Sequence, residues 1–230
     1  NTQTIEVKEA IPDIKTFVTA KGVKLPNNVK YTYKGTGFDN TNIKEQNAVI
    51  KLTFADNSYI EVNAKLNVQD THLATVQFAS TDAHVKISDK KYIQSTKPSD
   101  TKQSSVTITA YVNEQFGVNV NANDNSGHIQ DVLLSKDNGS LAWMTSNDRD
   151  YQQHNRYKAV SESNPYQIQL TGTPTTKGTS TAVIKTWDGA NHEGDIKFTI
   201  NVLDQAAQFD GDKLNGATKT VEVNDNVVLS

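Results

Sequence analysis

The sequence predicts an all-β protein of two tandem β-sandwich modules, with room for one short helix in the first. Three observations predict it. Apolar residues recur at every second position through most of the chain, which is the spacing of strands with one buried face. Short polar tracts such as "NDNSG", "KDNG" and "DGANHEG" separate those runs, and their residues are the ones that favour tight turns. A chain of 230 residues with 35% hydrophobic content also suits two thin cores better than one large one.

The first expected strands are "TIEVKE" (4–9) and "IPDIKTFV" (11–18), although 11–24 reads equally as one short helix. "VKYTYKG" (29–35) follows the turn-forming "LPNN". The clearest run is "VIKLTFADNSYIEVNAKLNV" (49–68): Ile50, Leu52 and Phe54 alternate, "ADNS" turns, and Ile60, Val62, Ala64, Leu66 and Val68 alternate back. This is a hairpin with one buried face. "LATVQFAS" (73–80) and "HVKISDKKYI" (84–93) are weaker strands. "QSTKPSDTKQSS" (94–105) is polar, holds a proline and lacks apolar periodicity, so the boundary is expected there. The second half carries seven short runs, at 106–114, 116–124, 132–135, 141–147, 166–172, 180–189 and 196–204, a number and spacing that fit one sandwich. The expected division is 1–98, 99–204, and 205–230 as a linker and the start of a further module, because "TKTVEVNDNVVLS" repeats the pattern of "TQTIEVKEAI".

Charge and composition exclude several functions. The net charge of −3 gives no electrostatic support for nucleic acid or an anionic membrane. No apolar run approaches the roughly 18 residues that span a bilayer. The chain opens at Asn1 without a basic or apolar leader, so a signal peptide is expected to be absent or already removed. Cysteine is absent, which excludes disulfides, thiolate metal sites and cysteine nucleophiles. His72, His84, His128, His154 and His192 are scattered, and neither a GxSxG nor a GxxxxGK motif occurs, so no enzyme is expected. No cofactor is expected either. "NANDNSG" (121–127), "SNDRD" (146–150) and "WDGAN" (187–191) offer oxygen ligands, but each holds too few carboxylates for calcium, which takes six to eight oxygens. Melts with and without chelator are therefore expected to coincide. Lysine and asparagine are plentiful, yet no pair stands out for an isopeptide bond.

Residues 4–68 resemble a Rib-type domain of Gram-positive surface proteins. The likeness rests on "TIEVKEAIPD", "GVKLPNNVKYTY" and "AVIKLTFADNSYIEVNAKLNV". The family's usual "YPDGS" turn stands here as "FADNS". Residues 104–204 resemble bacterial Ig-like domains, above all in "IQLTGTPTTKGTSTAVIKTWDGANHEGDIKFTINVLD" (168–204), where Gly172, Pro174, Gly178 and Asp188 fall in place. They are also similar to the Siglec-like domains of streptococcal serine-rich-repeat adhesins. That family binds sialoglycans through a Thr-Arg motif on its penultimate strand; the aligned positions here, Ser180, Thr181, Ala182 and Val183, hold no arginine. Both resemblances imply an extracellular, cell-wall-anchored adhesin fragment with Ig-like modules. The expected partner is a host glycan or matrix protein, the expected state a monomer, and membrane insertion is not expected. The alternative is a structural stalk that only projects a distal binding domain.

The candidate binding site is "NDRDYQQHNRYK" (147–158). It holds both arginines of the chain, Arg149 and Arg156, together with Tyr151, His154 and Tyr157. Lysine carries the ordinary surface charge, whereas arginine offers a planar fork that matches carboxylates and stacks on rings. Tyrosine adds rigid area that packs on sugars. This chemistry suits an acidic glycan or acidic peptide. The competing reading is a loop that folds on itself, Arg149 pairing with Asp148 or Asp150 and Arg156 packing on Tyr157. Trp143 and Trp187 each continue an apolar strand and are expected in the core.

Overall fold

The computed structural model describes residues 1–22, 24–100, 106–148 and 166–204. It is all-β, as the alternation predicts. The first sheet has the order β1-β4-β3-β2, from β1 (Thr2–Glu6), β2 (Lys30–Tyr33), β3 (Glu45–Thr53) and β4 (Tyr59–Gln69). β3 and β4 form the expected hairpin, with Ile50 opposite Val62 and Leu52 opposite Ile60. Its turn holds Asn57 at φ 64°, a conformation asparagine tolerates better than most residues. β1 lies parallel to β4, Thr2 opposite Lys65 and Glu6 opposite Gln69. Alternation sends Ile50, Leu52, Ala64, Leu66 and Val68 to one face, where Phe17, Val29 and Phe38 close the core. Phe17 ends a 3-10 turn at Ile14–Phe17, the short helix expected within 11–24. Asp13 starts that turn by accepting a 2.8 Å hydrogen bond from the Lys15 backbone N–H.

Two further sheets face each other. One has the order β10-β13-β14-β8-β6 and the other β11-β12-β9-β5-β7. Their strands are β5 (Thr75–Ser80), β6 (Lys86–Ile87), β7 (Ile93–Gln94), β8 (Thr107–Tyr111), β9 (Phe116–Asn123), β10 (Ile129–Lys136), β11 (Met144–Ser146), β12 (Tyr166–Gly172), β13 (Gly178–Asp188) and β14 (Glu193–Leu203). The inward residues of β9 are Phe116, Val118, Val120 and Ala122, with asparagines facing out between them. They meet Phe198, Ile200 and Ile184 from the opposite sheet. The Phe78 and Phe198 rings lie 4.9 Å apart. Trp187 is buried. Trp143 packs half-buried against the core, edge-on to Phe116 at 5.2 Å.

The strand pairing differs from the expected division at one point. β5 pairs with β9, β7 pairs with β5, and β6 pairs with β8, so residues 75–94 are woven into the second sandwich. The polar stretch expected as a boundary at 94–105 begins inside that sandwich. Ser95 is buried and donates through its backbone N–H and its hydroxyl to the Ala74 carbonyl. Thr96 then bridges Asp195 of β14 in the opposite sheet, through bonds of 3.0 and 2.8 Å. This segment crosses between sheets, and hydroxyl side chains that satisfy backbone groups make it look like a linker in composition. The 205–230 tail lies outside the described residues.

Candidate functional site

All five residues of the arginine cluster, Arg149, Tyr151, His154, Arg156 and Tyr157, lie outside the described residues. Their flanks are well tied. Before them, Asp148 Oδ2 accepts a 2.8 Å bond from the Leu134 N–H of β10. After them, Tyr166 opens β12 opposite Ala122 of β9. Leu134 also lines a cleft of about 560 Å³ with Leu133, Lys136, Lys185, Trp187 and Glu193. Strand register builds this face: Leu133 lies opposite Lys185, which lies opposite Asp195, and Trp187 lies opposite Glu193. Lys185 Nζ stands 3.1 Å from Glu193 and 3.8 Å from Asp195. Burial raises the Asp195 pKa, and the Lys185 charge opposes the shift. Lys185 is the one cation of β13.

A second constellation forms at the end of the sandwich nearest the first sheet. Asp70 follows β4, Asp124 follows β9, and Asp188 closes β13. Each starts a tight turn by accepting a backbone N–H two residues ahead: His72 to Asp70 at 3.2 Å, Ser126 to Asp124 at 2.8 Å and Ala190 to Asp188 at 2.9 Å. Turn chemistry thus explains each aspartate locally, and the fold then brings them together. Relative exposure is 6% for Asp70, 7% for Asp124 and 0% for Asp188. An oxygen of Asp70, an oxygen of Asp188 and a ring nitrogen of His192 lie within 4.8 Å of one another. Asp70 also groups with Glu6 and His72 at the same spacing.

The electrostatics follow from that crowding. Burial pushes the Asp70 carboxyl up to about 6, and the charges of Asp124 and Asp188 push the same way. Burial also raises Asp188, against the hydrogen bond and charge of His192, whose Nδ1 lies 3.1 Å from Asp188 Oδ2. Among the described residues, Asp70 Oδ2 has no hydrogen-bond partner. Beside the cluster runs a cleft of about 280 Å³ lined by His72, Thr75, Gln94, Asn123 and Asp124. Asp124 and Asp188 belong to loops whose oxygens the sequence singles out, but as separate turns too poor in carboxylates. The fold removes that objection by placing the loops side by side. Asp70 had no signal beyond standing where an alternating run ends.

Residues 95–208 match the family model described as the GspA/SrpA SigLec-like domain. The chain is similar to streptococcal surface adhesins. Residues 1–70 match the Rib domain model, so the two resemblances drawn from the motifs are both found. The Rib match ends at the residue after β4, while the SigLec-like match starts beyond β7. No curated protein matches the chain. Among solved structures, a mutant SrpA adhesin of Streptococcus sanguinis is 20% identical over 69% of either chain, with a TM-score of 0.37. The sialic acid binding region of the Streptococcus sanguinis SK1 adhesin, bound to 3'sLn, is 12% identical over 89% of this chain and 76% of its own, at 0.33. Domains 4 and 5 of the S-layer protein SbsC are 11% identical over 69% and 58%, at 0.32. No helix among the described residues is long and apolar enough to cross a membrane.

Proposed function

We propose that the protein is part of a cell-wall-anchored adhesin whose SigLec-like half binds an acidic host glycan through the segment 147–158, while the Rib half spaces it from the surface. The observation that carries this reading is the SigLec-like match over a half whose only arginines fall together in one inter-strand segment. Geometry at the flank supports it: Leu134 both lines the 560 Å³ cleft and holds Asp148, the residue before Arg149. Arg149 and Arg156 supply forks for carboxylate, Tyr151 and Tyr157 supply ring faces, and His154 adds a donor. Binding proceeds without covalent chemistry. The module join that fits the strand pairing is 70–73, between β4 and β5.

The test is a glycan array with the whole chain, followed by the double substitution Arg149→Lys and Arg156→Lys. Charge is kept and the fork is lost. Binding should weaken by about 5- to 150-fold, the equivalent of roughly 1–3 kcal/mol, at an unchanged melting temperature. A second reading, a stalk that only projects a distal domain, is favoured by the Rib match and by the repeat-like "TKTVEVNDNVVLS". It requires that the double substitution leave adhesion unchanged.

A further inference from the structure

We infer that the cluster between the two halves is a site for one divalent cation of the calcium type, held by Asp70 from the first half and by Asp124 and Asp188 from the second. A buried carboxylate is tolerated when it is paired, fully hydrogen-bonded or bound to metal. Here Asp70 and Asp188, both more than nine-tenths buried, each bring an oxygen within 4.8 Å of the other and of His192, and the equally buried Asp124 lies near enough for its charge to act on both. His192 can neutralise one of them, and it is engaged with Asp188 at 3.1 Å. Among the described residues neither lysine nor arginine pairs with Asp70. Among the described residues its buried Oδ2 has no hydrogen-bond partner; the charges of Asp124 and Asp188 oppose its own, while the His72 backbone N–H and His192 favour it. The buried Asn123 Oδ1, on the lip of the adjoining cleft, also lacks a partner among the described residues.

The donor chemistry selects the ion. Calcium takes six to eight oxygens from flexible carboxylates, amide oxygens and water. Three aspartates offer up to six carboxylate oxygens, and the Asn123 oxygen and water from the open cleft can complete a shell. The turns also suit calcium, because each Oδ1 is fixed by a backbone N–H and the carboxylates keep their aim. Zinc prefers four nitrogen or sulfur ligands, and the first triple provides one histidine and no thiolate. Because Asp70 follows β4, Asp124 follows β9 and Asp188 closes β13, the ion joins the halves and fixes the angle between them. Contacts already present there set the distance: His72 Nδ1 lies 3.4 Å from Asn125 Nδ2 and 3.8 Å from Glu6 Oε2. The expectation that chelation leaves the melt unchanged is thereby reversed.

The test uses the whole chain, stripped with chelator and then titrated with calcium, magnesium or zinc chloride by calorimetry and thermal melting. Calcium should bind one ion per chain, with a dissociation constant on the order of millimolar or tighter, as in extracellular modules, and should raise the melting temperature. Asp70→Asn keeps the acceptor for His72 and removes one charge. It should weaken calcium by roughly tenfold or more while melting, in chelator, at or above the wild-type temperature. If that variant fails to fold by circular dichroism, wild-type calorimetry and terbium luminescence sensitised by Trp187, the neighbour of Asp188, still decide the question. Wild-type melts that coincide in calcium and chelator with no heat of binding overturn the site. So does a folded Asp70→Asn protein that keeps the full calcium response. Binding of zinc alone, abolished by His192→Gln, overturns the calcium assignment.

Discussion

Gly172 ends β12 at φ +155°, and a Cβ built there would lie 2.1 Å from the Trp143 carbonyl oxygen. Neither the backbone angle nor the space admits a side chain. Gly172→Ala should therefore cost about 1–3 kcal/mol, seen as a lower melting temperature of the second half, with a loosened Trp143–Phe116 contact reported by tryptophan fluorescence. Gly194 is a second close approach: a Cβ there would stand 2.3 Å from Ser95 Oγ, which is how β14 admits the crossing segment beside it. At Asp70 the sign of the charge effect is set by its surroundings. A carboxyl whose folded pKa is raised to about 6 opposes folding once ionised, because the folded state then holds it less readily than the unfolded chain does. In chelator, the protein should lose stability as pH rises from about 4 to about 6 through that group. Denaturant midpoints across that range, compared between wild type and Asp70→Asn, isolate the contribution of Asp70 from those of His192, His72, Asp124, Asp188 and Glu6 around it.

At the scale of elements, period-two alternation located nearly every strand, because a half-buried strand must alternate whatever it pairs with. Partnership was not legible in the same pattern. β5 shows an inward Val76 and Phe78, yet nothing in "TVQF" says which core those residues enter. β6 and β7 have two residues each, too short for any period. The segment after them bonds through hydroxyls and so resembles a linker. Phe78 is fully buried against Phe198. Phe78→Ala should destabilise the second half by about 3–5 kcal/mol and leave the first-half core of Ile50, Leu52 and Leu66 as it was. Hydrogen exchange read separately over β3–β4 and β9–β14 would check this. A fragment of residues 71–204 should fold cooperatively, whereas one of 101–204 should not, having lost β5, β6 and β7. Cooperative melting of the shorter fragment would show that these strands are dispensable.

At the scale of the whole molecule, the candidate sites were legible to different degrees. The arginine segment stands out by composition, because two forks fall among many lysines. The aspartate cluster does not, because a turn-forming Asp reads the same with or without a cation, and only the fold brings three such turns to one place. The parallel pairing of β1 with β4 has a mechanical consequence. A load applied ahead of Thr2 and drawn off beyond Gln69 pulls on opposite ends of two side-by-side strands. It slides one along the other rather than peeling them apart. The five register pairs from Thr2–Lys65 to Glu6–Gln69, with the Val7 N–H bonded to the Gln69 carbonyl at 2.8 Å just beyond them, would be sheared together, so rupture is cooperative. Forced unfolding follows the height of that barrier rather than equilibrium stability. In single-molecule stretching, the first half should therefore yield in one high-force step, and Ile5→Pro, which removes a strand N–H from β1, should turn that step into a low-force one.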